Sequence, residues 1–351
     1  MLKLSTQRAI TLRLTSRIPS ARCFAVSARS WNRLDRPLGD RTIESNLATE
    51  TNKLSKSLSK FWKNANIKYD DNNYHVQLDG KTLRTPLGFQ LSLPESKQQL
   101  AKLIAHEWAN LPDLKIKTNA LPLTSLASRA VDLTHVNYDK NVADREELIA
   151  KVGNIEDIKV NVLRYLDTDT CLIFATHKEY SGKLRQKQDE LYIPLIEEYN
   201  EFFTTYARSK SGLLPHENDE IKLQYLDCEV DGLRGNRQTI TTANVVLDWL
   251  DNVPVFDLIA LERAVLTTKS FLCGITLLRS NVSHEENLQS IYQVNKQNAE
   301  DYYHKTIEEI IELGNLETIF QTQEWGEVED THDVDKVDWL RNLTSAALVC
   351  H

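Results

Sequence analysis

The fold class is decided by residues 66–93, which read NIKYDDNNYHVQLDGKTLRTPLGFQLSL. Short runs with strand-like alternation are separated here by polar turn residues, by Asp79-Gly80 and by Pro86 to Gly88. Asp-Gly between alternating runs is the strongest short-range signal for a β-hairpin, because both central residues of its tight turn need a positive φ. The stretch therefore predicts a small antiparallel β unit.

The chain that follows has a helical period. After Pro94-Glu95, apolar residues recur every three or four positions until Pro112, which predicts a first helix. Further helices are predicted at residues 122–133, 139–152, 155–166, 184–206, 240–250, 254–278, 285–313 and 334–349. We therefore predict an α+β protein, in which a small antiparallel β-rich N-terminal domain (60–112) precedes a larger all-α C-terminal domain (113–351).

The N-terminal segment has a different composition. Residues 1–34 hold seven Lys and Arg residues and no Asp or Glu, with Leu and Ile between the cations. Arg22, Phe24 and Ser27 also resemble the Arg-x-Phe-x-x-Ser pattern of presequences that are cut twice. The segment predicts a mitochondrial presequence over residues 1–31 and a location in the matrix, with a disordered basic tail as the alternative. Residues 32–59 are polar without a sustained period, which predicts a linker.

The charge balance limits the possible partners. The whole chain carries −8 and residues 1–34 carry +7, so the remainder carries −15. Such a body repels phosphate backbones and anionic lipids, which excludes nucleic acid and favours basic protein surfaces. The most apolar window, residues 256–278, contains four charged residues and is therefore not predicted to insert into a membrane.

Patterns for cofactors and metals are incomplete. The five Cys residues are scattered without a Cys-x-x-Cys pair, which fits a reducing compartment rather than a disulfide framework or a zinc site. His106-Glu107 and His284-Glu285 lack the second His of a metalloprotease helix, and Gly232 to Gly235 lacks the spacing of a P-loop. We predict no cofactor and no metal.

Asp167-Thr168-Asp169 is the one candidate for catalysis. Two carboxylates at this spacing after a strand serve as nucleophile and acid in aspartyl-phosphate phosphatases. That signature needs Thr or Val where Cys171 stands, and Asn161 and Arg164 interrupt the preceding apolar run at helical spacing. A helix end with capping carboxylates is the favoured interpretation, and the protein is predicted not to be an enzyme. A matrix phosphatase that uses Asp167 and Asp169 is kept as an alternative.

Several separated blocks resemble one protein family in the family's order. They are FWK (61–63), LDGKTLRTP (78–86), LSLP (91–94), AHEWA (105–109), LPLTSLASRAVD (121–132) and LETIFQTQEWGEVEDTHDVD (316–335). Over about residues 60–335 the chain resembles the mitochondrial assembly chaperones of the ATP synthase F1 sector, which bind the unassembled alpha subunit. Met is usual in that family where Leu121 stands, as is Trp at Tyr192, and the segment 215–236 is longer and more polar than expected.

The resemblance implies a function without catalysis. The alpha subunit exposes an apolar face before assembly, and the chaperone shields this face from aggregation and releases the subunit to the beta subunit. We further predict a monomer that binds no nucleic acid, because of its charge balance, and does not insert into a membrane, because its most apolar window is charged. A resident structural subunit of a matrix complex is a further alternative.

The block at residues 316–335 supplies the candidate binding residues. Its carboxylates surround one large aromatic side chain, a pattern that suits an anchor with charges that select a basic rim on the partner. A solvated helix end is the alternative. We call the following seven residues the acidic block: Glu317, Glu324, Trp325, Glu327, Glu329, Asp330 and Asp333. Glu317 and Glu327 are the leading positions.

Overall fold

The computed structural model describes residues 60–112, 120–139, 142–216, 218–232, 234–283, 285–295, 304–328 and 332–351. These residues belong to one unit that begins at Lys60. The predicted presequence and linker lie outside the described residues, so both stay predictions.

The N-terminal part is an antiparallel sheet built around one central strand. The strands are β1 (Ala65–Asp70), β2 (Asn73–Leu78), β3 (Lys81–Thr82) and β4 (Ser92–Pro94), and β2 pairs with the other three. Asp71 and Asn72 connect β1 to β2 with φ values of 49° and 57°, and Asp79 and Gly80 connect β2 to β3 with 47° and 82°. Positive φ at both central positions is what a tight hairpin turn requires. The predicted hairpin is confirmed.

Twelve helices follow in the described residues. They are α1 (Gln98–Asn110), α2 (Pro122–Tyr138), α3 (Arg145–Val152), α4 (Ile155–Arg164), α5 (Lys183–Arg208), α6 (Ile240–Asn252), α7 (Val255–Thr268), α8 (Phe271–Asn281), α9 (Glu285–Leu288), α10 (Ile307–Gly314), α11 (Leu316–Trp325) and α12 (His332–Cys350). Single 3-10 turns at Glu95–Lys97, Thr170–Leu172 and Glu179–Gly182 connect some of them.

The apolar core runs from the sheet into the helices. Val76 and Leu93 on the sheet share one buried cluster with Ile104 of α1, Leu126 of α2 and Trp249 of α6. Helix α2 contacts both α1 and the helices α7 and α12, so it joins the sheet to the helical part. The domain boundary predicted at residue 112 stays a prediction. Within the described residues, no helix is both long enough and apolar enough to cross a bilayer.

Several predicted helices have different bounds, and the one predicted at 122–133 continues to Tyr138. The helix predicted at 254–278 is two helices, since Lys269 takes a positive φ of 57° and the Ser270 side chain caps α8 by accepting the Cys273 N–H at 3.0 Å. The helix predicted at 139–152 begins only at Arg145, and the one predicted at 285–313 is described as α9 and α10. A serine inside an apolar run does not by itself predict the end of a helix. Its hydroxyl caps a helix only where the backbone leaves the helical conformation.

A two-stranded parallel pair was not predicted. It consists of β5 (Ile173–Phe174) and β6 (Leu226–Asp227), which lie in the otherwise helical part. The Arg185 guanidinium holds β6 in place through paired hydrogen bonds to both carboxylate oxygens of Asp227, each 2.9 Å long. The predicted fold class, a small antiparallel β region followed by a mainly helical region, is confirmed.

Candidate functional site

The blocks near the N-terminus form scaffold. The Glu107 carboxylate of α1 accepts hydrogen bonds from the backbone N–H groups of Leu123 and Thr124, at 2.8 and 2.9 Å, and so caps the start of α2. The Trp108 indole donates to the Thr124 hydroxyl at 3.1 Å, and the Trp62 indole donates to the Trp108 carbonyl at the same distance. Three of the blocks that carry the family resemblance therefore meet in one hydrogen-bond network.

Helix α11 carries the described part of the acidic block. Leu316 anchors its first turn in the core, whereas Glu317, Glu324 and Trp325 are exposed. Glu317 and Glu324 are seven residues apart, two helical turns, so they share one face of α11. Glu327 follows the helix and is also exposed. The structure thus brings four of the predicted residues to the surface along one helix and its end.

The Trp325 side chain contacts the Tyr180 ring and is largely exposed to solvent. Its side chain is 75% exposed, and its ring centroid lies 5.8 Å from that of Tyr180. Loss of hydration, followed by the nearby charge of Glu317, raises the pKa of Tyr180, and Glu324 adds to the effect. Tyr180 therefore lies within electrostatic range of two acidic-block carboxylates and in ring contact with Trp325.

A cleft adjoins the acidic block at Glu317. This Glu317 cleft has a volume of about 620 Å³ and is lined by residues that include Thr318, Lys269, Glu179 and Trp339. Among the described residues, the Glu317 carboxylate accepts one hydrogen bond, from the Gln321 side-chain amide at 3.0 Å, and it stays accessible. Its charge is therefore available to a partner.

The turn between α10 and α11 is fixed by buried contacts. The Tyr192 hydroxyl, on a side chain only 2% exposed, donates to the Leu313 carbonyl at 2.9 Å. A Cβ at Gly314 would lie 3.0 Å from Thr268 and 3.2 Å from Trp339, so any larger residue there would push these neighbours away by a few tenths of an ångström. Tyr192, one of the departures from the family pattern, therefore supports the site through its hydroxyl.

An apolar strip next to the acidic block was not predicted. Val334, Val337 and Leu340 of α12 are 53%, 62% and 46% exposed and share one helix face at three-residue spacing. Val328, between α11 and α12, is exposed as well. The spacing was visible in the sequence, but the pattern does not tell a buried face from an exposed one. We call these four residues the apolar strip.

The remaining predicted residues are only partly described. Glu329 and Asp330 lie outside the described residues, and Asp333 lies in α12 with a side chain that is outside them. The role of the whole acidic block in binding therefore stays a prediction.

Asp167 and Asp169 both accept backbone N–H groups, and Asp169 is the N-cap of the 3-10 turn at Thr170–Leu172. The Asp167 carboxylate accepts the Gln238 N–H at 2.8 Å. Asp169 is fully buried, and its two oxygens accept the N–H groups of Cys171 at 2.8 Å and Leu272 at 2.9 Å. Burial raises the pKa of Asp169 to about 6. A carboxyl group closed off in this way cannot act as the acid of such a phosphatase, because a substrate cannot reach it.

Metal-binding chemistry has no support in the described residues. They contain no group of three or more His, Cys, Asp or Glu side chains that could hold an ion. The buried Cys171 and Cys273 thiols lie 3.7 Å apart, and hydrogen bonding with Cys273 followed by burial raises the pKa of Cys171 well above its usual range. Cys171 is therefore kept in the protonated thiol form.

An exposed aromatic side chain among carboxylates, beside an exposed apolar strip, is typical of surfaces with which proteins bind other proteins. The sequence model described as "ATP12 chaperone protein" matches residues 59–200. The chain is 41% identical to the mitochondrial protein ATP12 of Saccharomyces cerevisiae, over 94% of this chain and 98% of that protein. It is 30% identical to the mitochondrial protein atp12 of Schizosaccharomyces pombe, over 84% and 82% respectively. The chain belongs to the ATP12 chaperone family.

Solved structures agree on the fold. The crystal structure of Atp12 from Paracoccus denitrificans is similar with a TM-score of 0.56, at 20% identity, over 84% of this chain and 98% of that one. A protein from Agrobacterium tumefaciens is similar with a TM-score of 0.57, at 18% identity, over 83% of this chain and 84% of that one. At such identities the likeness concerns the fold alone.

Proposed function

We propose that this protein is a molecular chaperone for assembly of the catalytic head of the mitochondrial ATP synthase. It binds the unassembled alpha subunit, shields the apolar interface of that subunit and releases it to the beta subunit. The observation that carries the proposal is the similarity to the yeast ATP12 protein, at 41% identity over 98% of that relative. The resemblance of the sequence blocks to the alpha-binding chaperones supplies the identity of the partner.

The binding surface in this proposal is the acidic block together with the apolar strip. Trp325 acts as the anchor, because an exposed aromatic side chain supplies binding energy when a partner desolvates it. Glu317, Glu324 and Glu327, with Glu329, Asp330 and Asp333, pair with basic groups around the apolar face of alpha and set its orientation. The apolar strip covers the part of the alpha interface that is later buried against beta.

Release of the alpha subunit needs no catalysis in this proposal. An incoming beta subunit that competes for the same face of alpha shifts the equilibrium by mass action, and its own binding free energy drives the exchange. We accordingly propose a non-enzymatic protein that works as a monomer. The burial of Asp169, with both oxygens already paired, disfavours the alternative of a phosphatase.

A capture experiment tests this function. The tagged protein is used as bait in a mitochondrial matrix extract, and the captured subunits are identified by mass spectrometry. We expect the alpha subunit without beta, and we expect purified beta to elute alpha from the bait. Capture of the assembled head, with its beta and stalk subunits, would instead identify a resident subunit. Failure to capture alpha at all would contradict the proposal.

The predicted location gives a separate test. Residues 1–34 carry seven cations and no acidic side chain, and both relatives compared above are named as mitochondrial. We propose import into the matrix with removal of about the first 30 residues, in line with the length range of targeting segments. The N-terminus of the protein isolated from mitochondria is expected near Asn32. An intact Met1 or Leu2 there would contradict a cleaved presequence.

A further inference from the structure

A second cleft lies apart from the acidic block. It has a volume of about 590 Å³ and opens between the loop that precedes β4, the end of α1, one face of α2 and the end of α3. Its lining includes Arg84, Leu87, Trp108, Arg129, Asp132 and Lys151, none of which lines the Glu317 cleft. We call it the Arg129 cleft. Three cations in one cleft stand out on a chain whose net charge is −8.

Two polar atoms on this face of α2 have no partner. Asp132 is only 2% exposed, and the Thr85 side chain and the Leu87 backbone N–H stabilise its carboxylate, but its Oδ1 atom accepts no hydrogen bond within the described part of the chain. The Nε atom of Arg129 is buried and likewise unpaired there, although Nη2 of the same side chain donates to Glu262 at 2.9 Å. Buried polar groups in proteins are almost always paired, so an unpaired acceptor and an unpaired donor in one cleft call for a ligand.

The two atoms match the polar groups of a polypeptide backbone. Arg129 and Asp132 are three residues apart on α2 and therefore lie on one face of the helix. Each peptide unit carries one N–H donor and one C=O acceptor. An extended segment across this face can donate a backbone N–H to Asp132 and accept the Arg129 Nε–H with a carbonyl. A single small anion can satisfy only Arg129, and it would be repelled by Asp132.

The rest of the lining indicates which side chains the segment carries. The Trp108 indole N–H is already used by Thr124 at 3.1 Å, so the ring offers an apolar surface, and Leu87 adds to it. Lys151 is paired with Glu147 at 2.6 Å, whereas Arg84 forms no ion pair among the described residues and donates only to the Gly88 carbonyl. Arg84 is therefore the cation whose charge no carboxylate among the described residues neutralises, and it favours a carboxylate on the ligand.

We propose that the Arg129 cleft binds an extended polypeptide segment that carries an acidic side chain next to an apolar one. The segment belongs to the protein held at the acidic block, and in this respect the inference rests on the proposed function. Two separate contacts on one client raise the overall affinity through effective concentration, although each contact alone is weak. The cleft then recognises an unassembled chain by its accessible backbone, which assembled subunits do not offer.

The test uses short, overlapping, fluorescein-labelled peptides that cover the alpha subunit sequence, with the full chain and fluorescence anisotropy as the readout. We expect binding by peptides with adjacent acidic and apolar residues. Arg84→Glu and Asp132→Leu should each weaken it by about tenfold or more, the size of one lost charge-assisted hydrogen bond. Lys68→Glu on β1, whose side chain is half exposed, is the matched charge control and should leave binding unchanged. Circular dichroism shows that each variant is folded.

The possible outcomes separate this inference from the proposed function. Peptide binding that is lost in Glu317→Lys but kept in Arg84→Glu would place the segment on the acidic block and overturn the inference. Complete competition by inorganic phosphate would identify an anion site and overturn it as well. If no peptide binds while whole alpha is still captured, the inference that the Arg129 cleft binds a peptide segment is overturned, and the proposed function is left intact. Arg84-dependent peptide binding without capture of whole alpha would support the cleft and contradict the proposed function.

Discussion

Reversing the charge at Glu317 or at Glu327 is expected to abolish capture of the alpha subunit while the chaperone stays folded. Both side chains are exposed, and the one hydrogen bond that Glu317 accepts among the described residues, 3.0 Å long, comes from Gln321 on its own helix. Replacement at such a position costs about 0.5 kcal/mol or less in stability. Placing a cation against a basic rim costs about 2–5 kcal/mol in binding, a loss of about 30-fold or more.

The measurement combines capture with thermal unfolding. Glu317→Lys and Glu327→Lys are compared with wild type for the amount of alpha retained, and their melting temperatures and helical signals are recorded. Glu201→Lys is the matched control, since Glu201 is an exposed glutamate on α5 that does not belong to the acidic block. The control should retain alpha as wild type does. If both variants in the acidic block also retain alpha and support head assembly, the block is only a solvated surface and the binding face lies elsewhere.

Local features of the fold were predictable because they depend on neighbouring residues. The turn at Asp79-Gly80 needs two adjacent positive φ values, and the Asp79 carboxylate also accepts the N–H groups of Lys63 and Asn64 at 3.0 and 2.9 Å. The Asp-Gly pair alone predicts that turn geometry, because both residues tolerate a positive φ. The same holds for Pro122 in the first turn of α2, where the missing N–H costs nothing.

Features that depend on distant partners were not predictable. β5 and β6 pair Ile173 with Leu226 across more than fifty residues, and each strand has only two residues, too few for a period. The break at Lys269 is fixed by Ser270 and by Asp169, which lies in another element and accepts the Leu272 N–H. A window of sequence around Lys269 contains Ser270 but not Asp169, so the break could not be predicted from that window.

The candidate site was predictable in part for the same reason. Carboxylates around Trp325 were evident from composition, and the structure exposes the described ones. Exposure of the apolar strip is a tertiary property, because Val334, Val337 and Leu340 have the spacing that also marks a buried helix face. The support of the α10–α11 turn by Tyr192 joins residues 121 positions apart and leaves no local signal.

The replacement Asp169→Ala is expected to cost about 3–5 kcal/mol of stability, because two buried N–H groups lose their acceptor at once. Asp169 bridges the turn at Thr170–Leu172 and the start of α8, and no cation is paired with it in an ion pair among the described residues. Its negative charge at the N-terminus of α8 also interacts favourably with the helix dipole. Chemical denaturation of Asp169→Ala measures the loss, and Asp157→Asn at an exposed site of α4 is the control that should be nearly neutral.

The pH dependence of Asp169→Asn separates the charge of this residue from its hydrogen bonds. The pKa of Asp169 is about 6 in the folded protein, and the unfolded value is about 3.9, so the folded state binds more protons between these values. The contribution of Asp169 to wild-type stability therefore falls as pH rises from about 4 to about 6, by up to about 3 kcal/mol, and Asn lacks this dependence. The stability difference between wild type and Asp169→Asn should accordingly be larger near pH 4 than near pH 7. A difference that is constant over this range, or that grows with pH, would contradict this prediction. It would show that folding does not raise the pKa of Asp169, because the hydrogen bonds from backbone N–H groups stabilise the charged form more than the loss of hydration destabilises it.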